Sequence, residues 1–355
     1  MNMDDIKTIE QIDQAKMRQV IAGFPQHARL ADQLGCDFDL PGDFSGVRNI
    51  VFGGMGGSAI GAEIISCYLR NQLPVPVYVN RDYTLPNFVN RQSLVILESY
   101  SGNTEETLSI YAAAQKAKAK IIILTSGGKL RGLAEQDGHP YLLIPGGYPP
   151  RGALAFLCFP VLALLNKIGL IEDQKAQVLE TITVLENLKT NSYDVDVPEK
   201  ENLAKQLAGE LFNHFCVIYA GSENLGSVVT RWKGQLAENS KTLASSHTLP
   251  EMNHNEIVGW QYPQGLLKQF IAVFLRDSAD HPQVQKRIAI SKEILEKEGL
   301  IVKEINSSGS GLLARTFSLI YLGDFVSLYL AILNQEDPTP VKRIDYLKQR
   351  LQEWK

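Results

Sequence analysis

Two loops of the 355-residue sequence are rich in small and hydroxyl-bearing residues. The first, GGMGGSAIG at 53–61, has glycines whose backbone N–H groups can approach an anion closely because no side chains intervene. The second, SYSGNTEET at 99–107, precedes a helical run. Helix capping by Asn103 or Thr104 explains only one of its polar groups and leaves both serines without a role. Hydroxyls and helix N–H groups together can bind phosphate oxygens, so the two loops predict a site for a phosphate monoester.

Two other interpretations of the first loop stay open. A strand-to-helix turn that needs positive φ would also favour glycine. Gly54, Gly56 and Ala59 have the spacing of a dinucleotide-binding loop, and an acidic residue, Asp82, follows the next strand. However, Arg81 stands beside Asp82, and no later segment resembles a hydride-transfer site. A compact phosphate ester therefore fits better than a dinucleotide.

Both loops belong to a repeated strand–loop–helix pattern. Strands at NIVFG, SLVILES and IIILT alternate with helices, which predicts a parallel sheet covered on both faces. The pattern restarts at FCVIYAGSENLG, so we predict an α/β protein with two doubly wound domains related by internal duplication. Only the first copy keeps two donor-rich loops. Since ligands of such sheets bind at the carboxyl ends of the strands, these loops are expected to face the site.

Shifts in composition divide the chain into four segments. We expect a helical lead-in at 1–44, an N-terminal domain at 45–164, a helical connector at 165–200 and a C-terminal domain at 201–355, ending in helices. The most apolar stretch, ALAFLCFPVLALL, is shorter than a bilayer span and contains Pro160. It predicts a buried core helix.

Charge and cysteine content restrict the partners and the compartment. The formal net charge is −4 and no long basic block occurs, so we expect neither nucleic acid nor a membrane surface as partner. The N-terminal MNMDDIKTIEQ lacks the basic-then-apolar order of a signal peptide. The four cysteines are widely spaced and mostly within apolar runs, which is typical of buried free thiols. We therefore expect a cytoplasmic protein that acts on small molecules.

Four motifs together resemble one enzyme family. The two loops, ENSK at 238–241 and PEMNHNEIVGW at 250–260 are similar to those of the bifunctional phosphoglucose/phosphomannose isomerases, which carry two sugar isomerase (SIS) domains. The resemblance runs from about residue 45 to the C-terminus. It implies interconversion of glucose 6-phosphate and mannose 6-phosphate with fructose 6-phosphate through an enediolate, without a metal or other cofactor. It also implies a homodimer in which a histidine is supplied across the interface.

The resemblance assigns a role to each site residue. The residues implied to bind the phosphate are Gly57, Ser58, Ser99, Ser101 and Thr104. Glu238 would transfer the proton, His254 would open the sugar ring, and Arg151 would stabilise the developing charge. Thr339 and Lys348 would line the site from the C-terminal segment.

Residue chemistry alone leaves alternatives at two of these positions. Glu238 ends a helical run, where the helix dipole makes a carboxylate a stronger base, but it could also be a surface glutamate facing Lys241. Arg151 precedes an apolar helix, where a cation opposes the dipole. We therefore expect Arg151 to face an anion rather than to serve a local structural role, with a solvated loop arginine as the alternative.

The histidine also has a competing interpretation. In its polar loop, His254 is expected to be oriented by Asn253, Asn255 and Glu256, and histidine suits proton shuttling near neutral pH. A metal site formed by His247, Glu251, His254 and Glu256 is the alternative, although the histidine spacing matches no compact ligand motif.

The segment VKRIDYLKQRLQEW predicts a helix after the break at QEDPTP. We expect the helix to pack with Tyr346, Leu347 and Leu351 inward. Lys348 would then point either to solvent or to a site at the domain cleft.

Two alternative functions remain at this stage. An isomerase specific for glucose 6-phosphate would need the same loops and the same base. A non-catalytic phosphosugar-binding regulator would also use SIS domains, but such regulators usually attach them to a basic helix-turn-helix. The acidic, short lead-in of this chain favours the enzyme.

Overall fold

The computed structural model describes residues 2–354, and these residues contain two parallel β-sheets. Three helices precede the first sheet: α1 Ile6–Ile12, α2 Met17–Ala22 and α3 Phe24–Asp37. The strands of the first sheet are β1 Asn49–Gly53, β2 Val77–Asn80, β3 Ser93–Ser99, β4 Lys120–Thr125 and β5 Tyr141–Leu143. They lie in the order β2-β1-β3-β4-β5. The associated helices are α4 Gly56–Tyr68, α5 Glu105–Lys116, α6 Gly128–Asp137 and α7 Leu154–Lys167.

Two helices, α8 Lys175–Leu188 and α9 Leu203–Leu211, lead to the second half of the chain. The strands of the second sheet are β6 Phe215–Gly221, β7 Ala244–Leu249, β8 Phe270–Arg276 and β9 Ile301–Asn306, in the order β7-β6-β8-β9. The remaining helices are α10 Ser222–Glu238, α11 Glu256–Gly259, α12 Gln264–Leu267, α13 Pro282–Lys297, α14 Leu312–Leu333 and α15 Lys342–Glu353.

The predicted fold class is confirmed, and the strand register supports the duplication. In each sheet the first strand lies between the second and the third, as expected for two copies of one unit. Ser99 at the end of β3 pairs with Thr125, and Arg276 at the end of β8 pairs with Asn306 in the same way. Five residues after each of these strand ends comes the N-cap of the following helix, Thr104 or His281. The two copies therefore match residue for residue along this loop.

Apolar helices fill the space around the two sheets. As expected, α7 is a core helix, with eleven of its residues buried. Helix α14 is long and apolar enough to cross a membrane by length and composition, but 94% of its most apolar window is buried inside the molecule. It contacts α8, α9 and α10, so its apolar side chains form the core. Of the four free cysteines, Cys158 and Cys216 are buried as expected, whereas Cys36 is exposed.

The boundaries of the four segments remain predictions. The two sheets lie within 45–164 and 201–355, with α8 in the connector between them. However, α7 runs past residue 164 to Lys167, and one hydrophobic cluster includes residues from both halves of the chain.

Candidate active site

The glycine-rich loop joins β1 to α4 and packs against the segment that carries Arg151. A Cβ atom at Gly57 would lie 2.9 Å from the carbonyl oxygen of Pro150 and 3.3 Å from Cα of Arg151. Gly56 has a φ of +50°, so the loop also contains the positive-φ turn that the alternative interpretation required. The glycines thus let the start of α4 contact the turn at Pro150–Ala153.

The hydroxyl-rich loop lies beside it at the carboxyl end of β3. The Ser99 Oγ and Thr104 Oγ1 atoms are 2.9 Å apart, and the backbone N–H of Tyr100 donates to Ser58 Oγ at 3.4 Å. Thr104 occupies the N-cap position of α5, yet its side chain makes no capping hydrogen bond. Its hydroxyl therefore remains available at the edge of the sheet, next to two helix N-termini.

Together these contacts bring the five predicted phosphate-binding residues to one end of the first sheet. Ser58 and Ser99 are buried, whereas Ser101 is exposed, and its Oγ accepts a hydrogen bond from the Asn103 backbone N–H at 3.2 Å. Hydroxyls and N–H groups of both loops converge here, which suits a ligand with several acceptor oxygens.

Glu98, directly before Ser99, was not singled out from the sequence. Its side chain is 1% exposed, and neither carboxyl oxygen has a hydrogen-bond partner within residues 2–354. Burial raises the pKa of Glu98 well above its ordinary value, because a buried carboxylate loses its hydration. A single acidic residue within the apolar run SLVILES was the signal that could have identified it.

Arg151 lies in the turn before α7, and its side chain is buried, so the solvated-arginine alternative is wrong. Its Nε donates to Asn239 Oδ1 at 2.6 Å, and its Nη2 donates to the carbonyl oxygens of Pro338 and Thr339 at 2.6 and 2.8 Å. Arg151 faces an anion, the carboxylate of Glu238, as expected, and its guanidinium also joins three separate segments of the chain, a long-range structural role that was not predicted. Burial lowers the pKa of Arg151, and the nearby Glu238 opposes this effect.

Glu238 is the last residue of α10, as expected, and its carboxylate faces Arg151. Oε2 lies 3.4 Å from Arg151 Nη1, and the Glu238 side chain is 33% exposed. Lys241 does not pair with this carboxylate: its Nζ donates to the backbone carbonyl oxygen of Glu238 at 2.8 Å. The competing interpretation of a surface glutamate facing Lys241 is therefore wrong. The carboxylate is reachable from solvent and lies beside a buried cation.

A second buried cation, Arg231, binds the backbone of Arg151. Arg231 on α10 donates through Nη2 to the carbonyl oxygen of Arg151 at 2.8 Å and to Asp324 Oδ2 on α14 at 3.0 Å. Gln235 also donates to Asp324, at 2.8 Å. Burial raises the pKa of Asp324, while the charge of Arg231 opposes the shift. Asp324 is the one acidic residue of the largely apolar helix α14, and this was the sequence signal for a buried polar network.

Thr339 lies next to the same pair. Its carbonyl oxygen accepts from Arg151, whereas its Oγ1 is buried and has no hydrogen-bond partner within residues 2–354. A buried hydroxyl normally has a partner, so the unsatisfied Oγ1 makes Thr339 a candidate for a ligand contact.

His254 makes no hydrogen bond or ion pair with Glu238 within residues 2–354. It is exposed at the end of the turn at Glu251–His254, and its ring makes no hydrogen bond with residues 2–354. The three expected orienting partners bond elsewhere: Asn253 to Ser291, Asn255 to Glu251, and Glu256 to Tyr219 and His247. The prediction that they orient His254 is wrong, because they hold its loop instead.

The residues of the metal alternative are not grouped around one point. His247 Nδ1 and Glu256 Oε2 contact each other directly at 2.9 Å. Within residues 2–354, no three His, Cys, Asp or Glu side chains are close enough to hold a metal ion.

The C-terminal helix α15 differs from the expected packing. Lys348 is exposed and does not contact the Glu238–Arg151 pair. The side chains expected to point inward are also exposed: Tyr346 by 66%, Leu347 by 58% and Leu351 by 52%. The prediction that α15 packs against the core of its own chain is therefore wrong, and its apolar residues face outward.

The second sheet has no comparable anion site at its corresponding loop within the described residues. Asp277 and Asp280 occupy the positions that match Tyr100 and Asn103. A Cβ atom at Gly221, where α10 begins, would lie 2.6 Å from Asp280 Oδ1. A carboxylate therefore faces the loop that would have to bind phosphate, and like charges repel. The second copy is therefore unsuited to hold a phosphate at this loop.

Comparison with known proteins agrees with this arrangement. Residues 200–351 match the family model described as the bacterial phospho-glucose isomerase C-terminal SIS domain. Among solved structures, a hypothetical protein from Thermus thermophilus has a TM-score of 0.74 at 17% identity, with 98% of this chain and 94% of that chain covered. The C-terminal domain of glucosamine-fructose-6-phosphate aminotransferase from Francisella tularensis has a TM-score of 0.68 at 15% identity, over 91% and 98%. These likenesses establish the fold.

Curated relatives establish the family. The bifunctional phosphoglucose/phosphomannose isomerase of Aquifex aeolicus is 38% identical, over 88% of this chain and 93% of the relative. The enzyme of the same name from Caldicellulosiruptor bescii is 44% identical, over 96% of this chain and 100% of the relative. The chain therefore belongs to the bifunctional phosphoglucose/phosphomannose isomerase family.

Proposed function

We propose that the chain interconverts glucose 6-phosphate and mannose 6-phosphate with fructose 6-phosphate. The observation that carries this proposal is the contact of Gly57 with the Pro150–Arg151 backbone. It joins the phosphate-binding loops to the Glu238–Arg151 pair, so that a phosphosugar held at one end can present its other end to a carboxylate and a guanidinium.

The phosphate is bound by groups of both loops. Ser58, Ser99, Ser101 and Thr104 supply hydroxyls, and Gly57 supplies a backbone N–H group at the start of α4. Each of these is a neutral donor, and the helix dipole adds partial positive charge.

Glu238 transfers the proton between C1 and C2. As a carboxylate it removes the C2 proton of an aldose, which leaves an enediolate, and it returns the proton to C1. The ketose forms when the hydroxyl proton of O2 has passed to O1. Arg151 Nη1, 3.4 Å from Glu238 Oε2, stabilises the negative charge that develops on the enediolate oxygens. The free hydroxyl of Thr339 donates to a sugar oxygen. Formation of both aldoses requires that protonation at C2 occur on either face of the enediolate.

Ring opening needs a proton shuttle, and we assign it to His254 supplied by the second protomer of a homodimer. His254 is exposed in the single chain, and the nearby Val258 and Tyr262 are 75% and 71% exposed. Large exposed apolar side chains around a polar residue favour an interface. Lys348, on the exposed α15, would reach a site in the same assembly.

The setting of the reaction is part of the proposal. The free cysteines support a cytoplasmic location, and the substrates are those of glycolysis and gluconeogenesis. We also retain two domains at 45–164 and 201–355, since each contains one complete sheet.

Incubation with fructose 6-phosphate, followed by separate assays for the two aldose phosphates, tests the proposal. We expect both products, at rates that a chelator leaves unchanged. Formation of glucose 6-phosphate alone would support the single-specificity isomerase. Binding of fructose 6-phosphate without any product would support a regulator, and loss of activity with the chelator would support a metal site.

A further inference from the structure

Lys241 makes an unusual set of contacts at the end of the helix that carries Glu238. Its ammonium group lies within hydrogen-bond distance of four backbone carbonyl oxygens: Glu238 at 2.8 Å, Asn239 at 3.0 Å, Asp337 at 2.9 Å and Pro338 at 3.0 Å. An ammonium group has three N–H donors, so no donor is left for a substrate. The side chain therefore holds protein segments and does not bind the sugar.

The first two acceptors belong to the C-terminus of α10. The last carbonyl groups of a helix have no partner within the helix, and a positive charge there is favourable. Lys241 itself has a φ of +58°, a conformation that residues with a Cβ atom adopt reluctantly. A glycine would fit this backbone more easily, so the contacts of the side chain account for the lysine.

The other two acceptors belong to the loop that follows α14. The carbonyl oxygen of Pro338 accepts from both Lys241 Nζ and Arg151 Nη2, at 3.0 and 2.6 Å. The next residue, Thr339, presents the free hydroxyl. Two cations thus meet at one carbonyl group, and the loop cannot shift without moving Arg151 or Thr339.

We propose that Lys241 is a positioning residue that holds Glu238, Arg151 and Thr339 in one arrangement for proton transfer. This inference rests on the proposed isomerase function. Near-attack geometry is sensitive to distance, since a misplacement of about 1 Å can lower a rate about 100-fold. Because the phosphate-binding loops do not contact Lys241, substrate affinity should change little when the ammonium group is removed.

The chain offers a matched control in Lys167. It lies at the end of α7, and its Nζ also donates to backbone carbonyl oxygens of a distant segment, those of Cys36 and Phe38. It does not contact the candidate site. Lys167→Met therefore measures the effect of removing a lysine that only holds two protein segments together.

The test compares kcat and KM for fructose 6-phosphate in the full-length wild type, Lys241→Met, Lys241→Arg and Lys167→Met. We expect Lys241→Met to lower kcat at least about 10-fold with KM changed less than about 3-fold. Lys167→Met should keep the wild-type kcat, even if it lowers the melting temperature as much as Lys241→Met does. Lys241→Arg retains the charge but not the tetrahedral donor geometry, so it should fold and show a kcat between those of the wild type and Lys241→Met, with unchanged KM.

A folded Lys241→Met with wild-type kcat would overturn the inference, and so would an effect on KM alone. If Lys241→Met does not fold, a folded Lys241→Arg with wild-type kcat overturns it instead. An inactive wild type would refute the proposed function, and this inference with it, before any variant is compared.

Discussion

At the scale of single residues, the candidate site combines a carboxylate that solvent can reach with cations that are buried. Glu238 is one-third exposed, whereas Arg151 and Arg231 are buried. A buried guanidinium keeps its position because its donors are bound to protein oxygens, and only Nη1 of Arg151 is directed at Glu238. A preorganised cation of this kind stabilises developing negative charge without having to move during the reaction.

Glu98 allows a prediction of pH dependence. Its folded-state pKa is raised above the ordinary 4.5, so between these two values the folded protein binds more protons than the unfolded chain. The free energy of unfolding should therefore fall as pH rises through this window. A glutamine at this position is neutral at every pH. In Glu98→Gln the contribution of this group to the fall in the free energy of unfolding should therefore be absent.

Urea unfolding between about pH 5 and pH 8 measures this difference. Glu186→Gln is the control, because that carboxylate is exposed and pairs with Arg29 on the surface. Identical pH dependence in the wild type and Glu98→Gln would show that Glu98 is not held neutral.

Sequence reasoning placed the loop hydroxyls, whose signal is local, and missed contacts whose signal is long-range. The loop hydroxyls follow a strand in the sequence, so their place at its carboxyl end could be predicted. The contact of Lys241 with Asp337 and the support of Arg151 by Arg231 join segments far apart in the chain. No short-range pattern encodes such contacts, because they depend on how the helices pack.

At the scale of elements, strands and helices followed from apolar periodicity, but the direction in which the apolar residues of α15 point did not. An amphipathic helix has the same pattern whether its apolar stripe covers its own core or faces outward. The sequence therefore predicted the helix and misassigned the direction of Tyr346 and Leu347. The contact of α4 with the turn at Pro150–Ala153, by contrast, was not predicted, and it includes Gly57, where two backbones meet.

Gly57→Ala should separate the phosphate-binding loop from the turn at Pro150–Ala153. The new Cβ atom would lie 2.9 Å from a backbone oxygen, which cannot move aside as a flexible side chain can. We expect KM for fructose 6-phosphate to rise at least about 10-fold and the stability to fall by about 1–3 kcal/mol. Steady-state kinetics and urea unfolding measure the two effects.

Gly132→Ala is the matched control for this substitution. Gly132 lies within α6, and a Cβ atom there meets nothing within 4 Å. Alanine should stabilise this helix by about 0.5–1 kcal/mol and leave KM unchanged. An unchanged KM in Gly57→Ala would show that the loop tolerates the displacement or does not bind the phosphate.

At the scale of the whole molecule, one chain leaves two features unexplained. His254 has no partner within residues 2–354, and the apolar residues of α15 are exposed together with Val258 and Tyr262. A twofold dimer would cover such surfaces and would place equivalent residues of each protomer against the other. The proposed homodimer thus accounts for both features.

Mixed dimers test whether His254 acts across the interface. Glu238→Gln and His254→Ala should each be nearly inactive as homodimers. In a purified heterodimer of the two, one site combines an intact Glu238 with an intact His254 from the other protomer. We expect about half of the wild-type activity per dimer. No recovery in verified heterodimers would place both residues in the same chain's site.

The central claim is that Glu238 moves the proton through an enediolate, and exchange with heavy water tests it most directly. Wild type and Glu238→Gln are incubated with fructose 6-phosphate in D₂O, and deuterium at C1 of the ketose and C2 of both aldoses is followed by NMR. General base catalysis contributes about 10²–10⁴-fold, so we predict exchange by the wild type and a loss of at least about 100-fold in the folded variant. Exchange by folded Glu238→Gln at the wild-type rate would contradict the account.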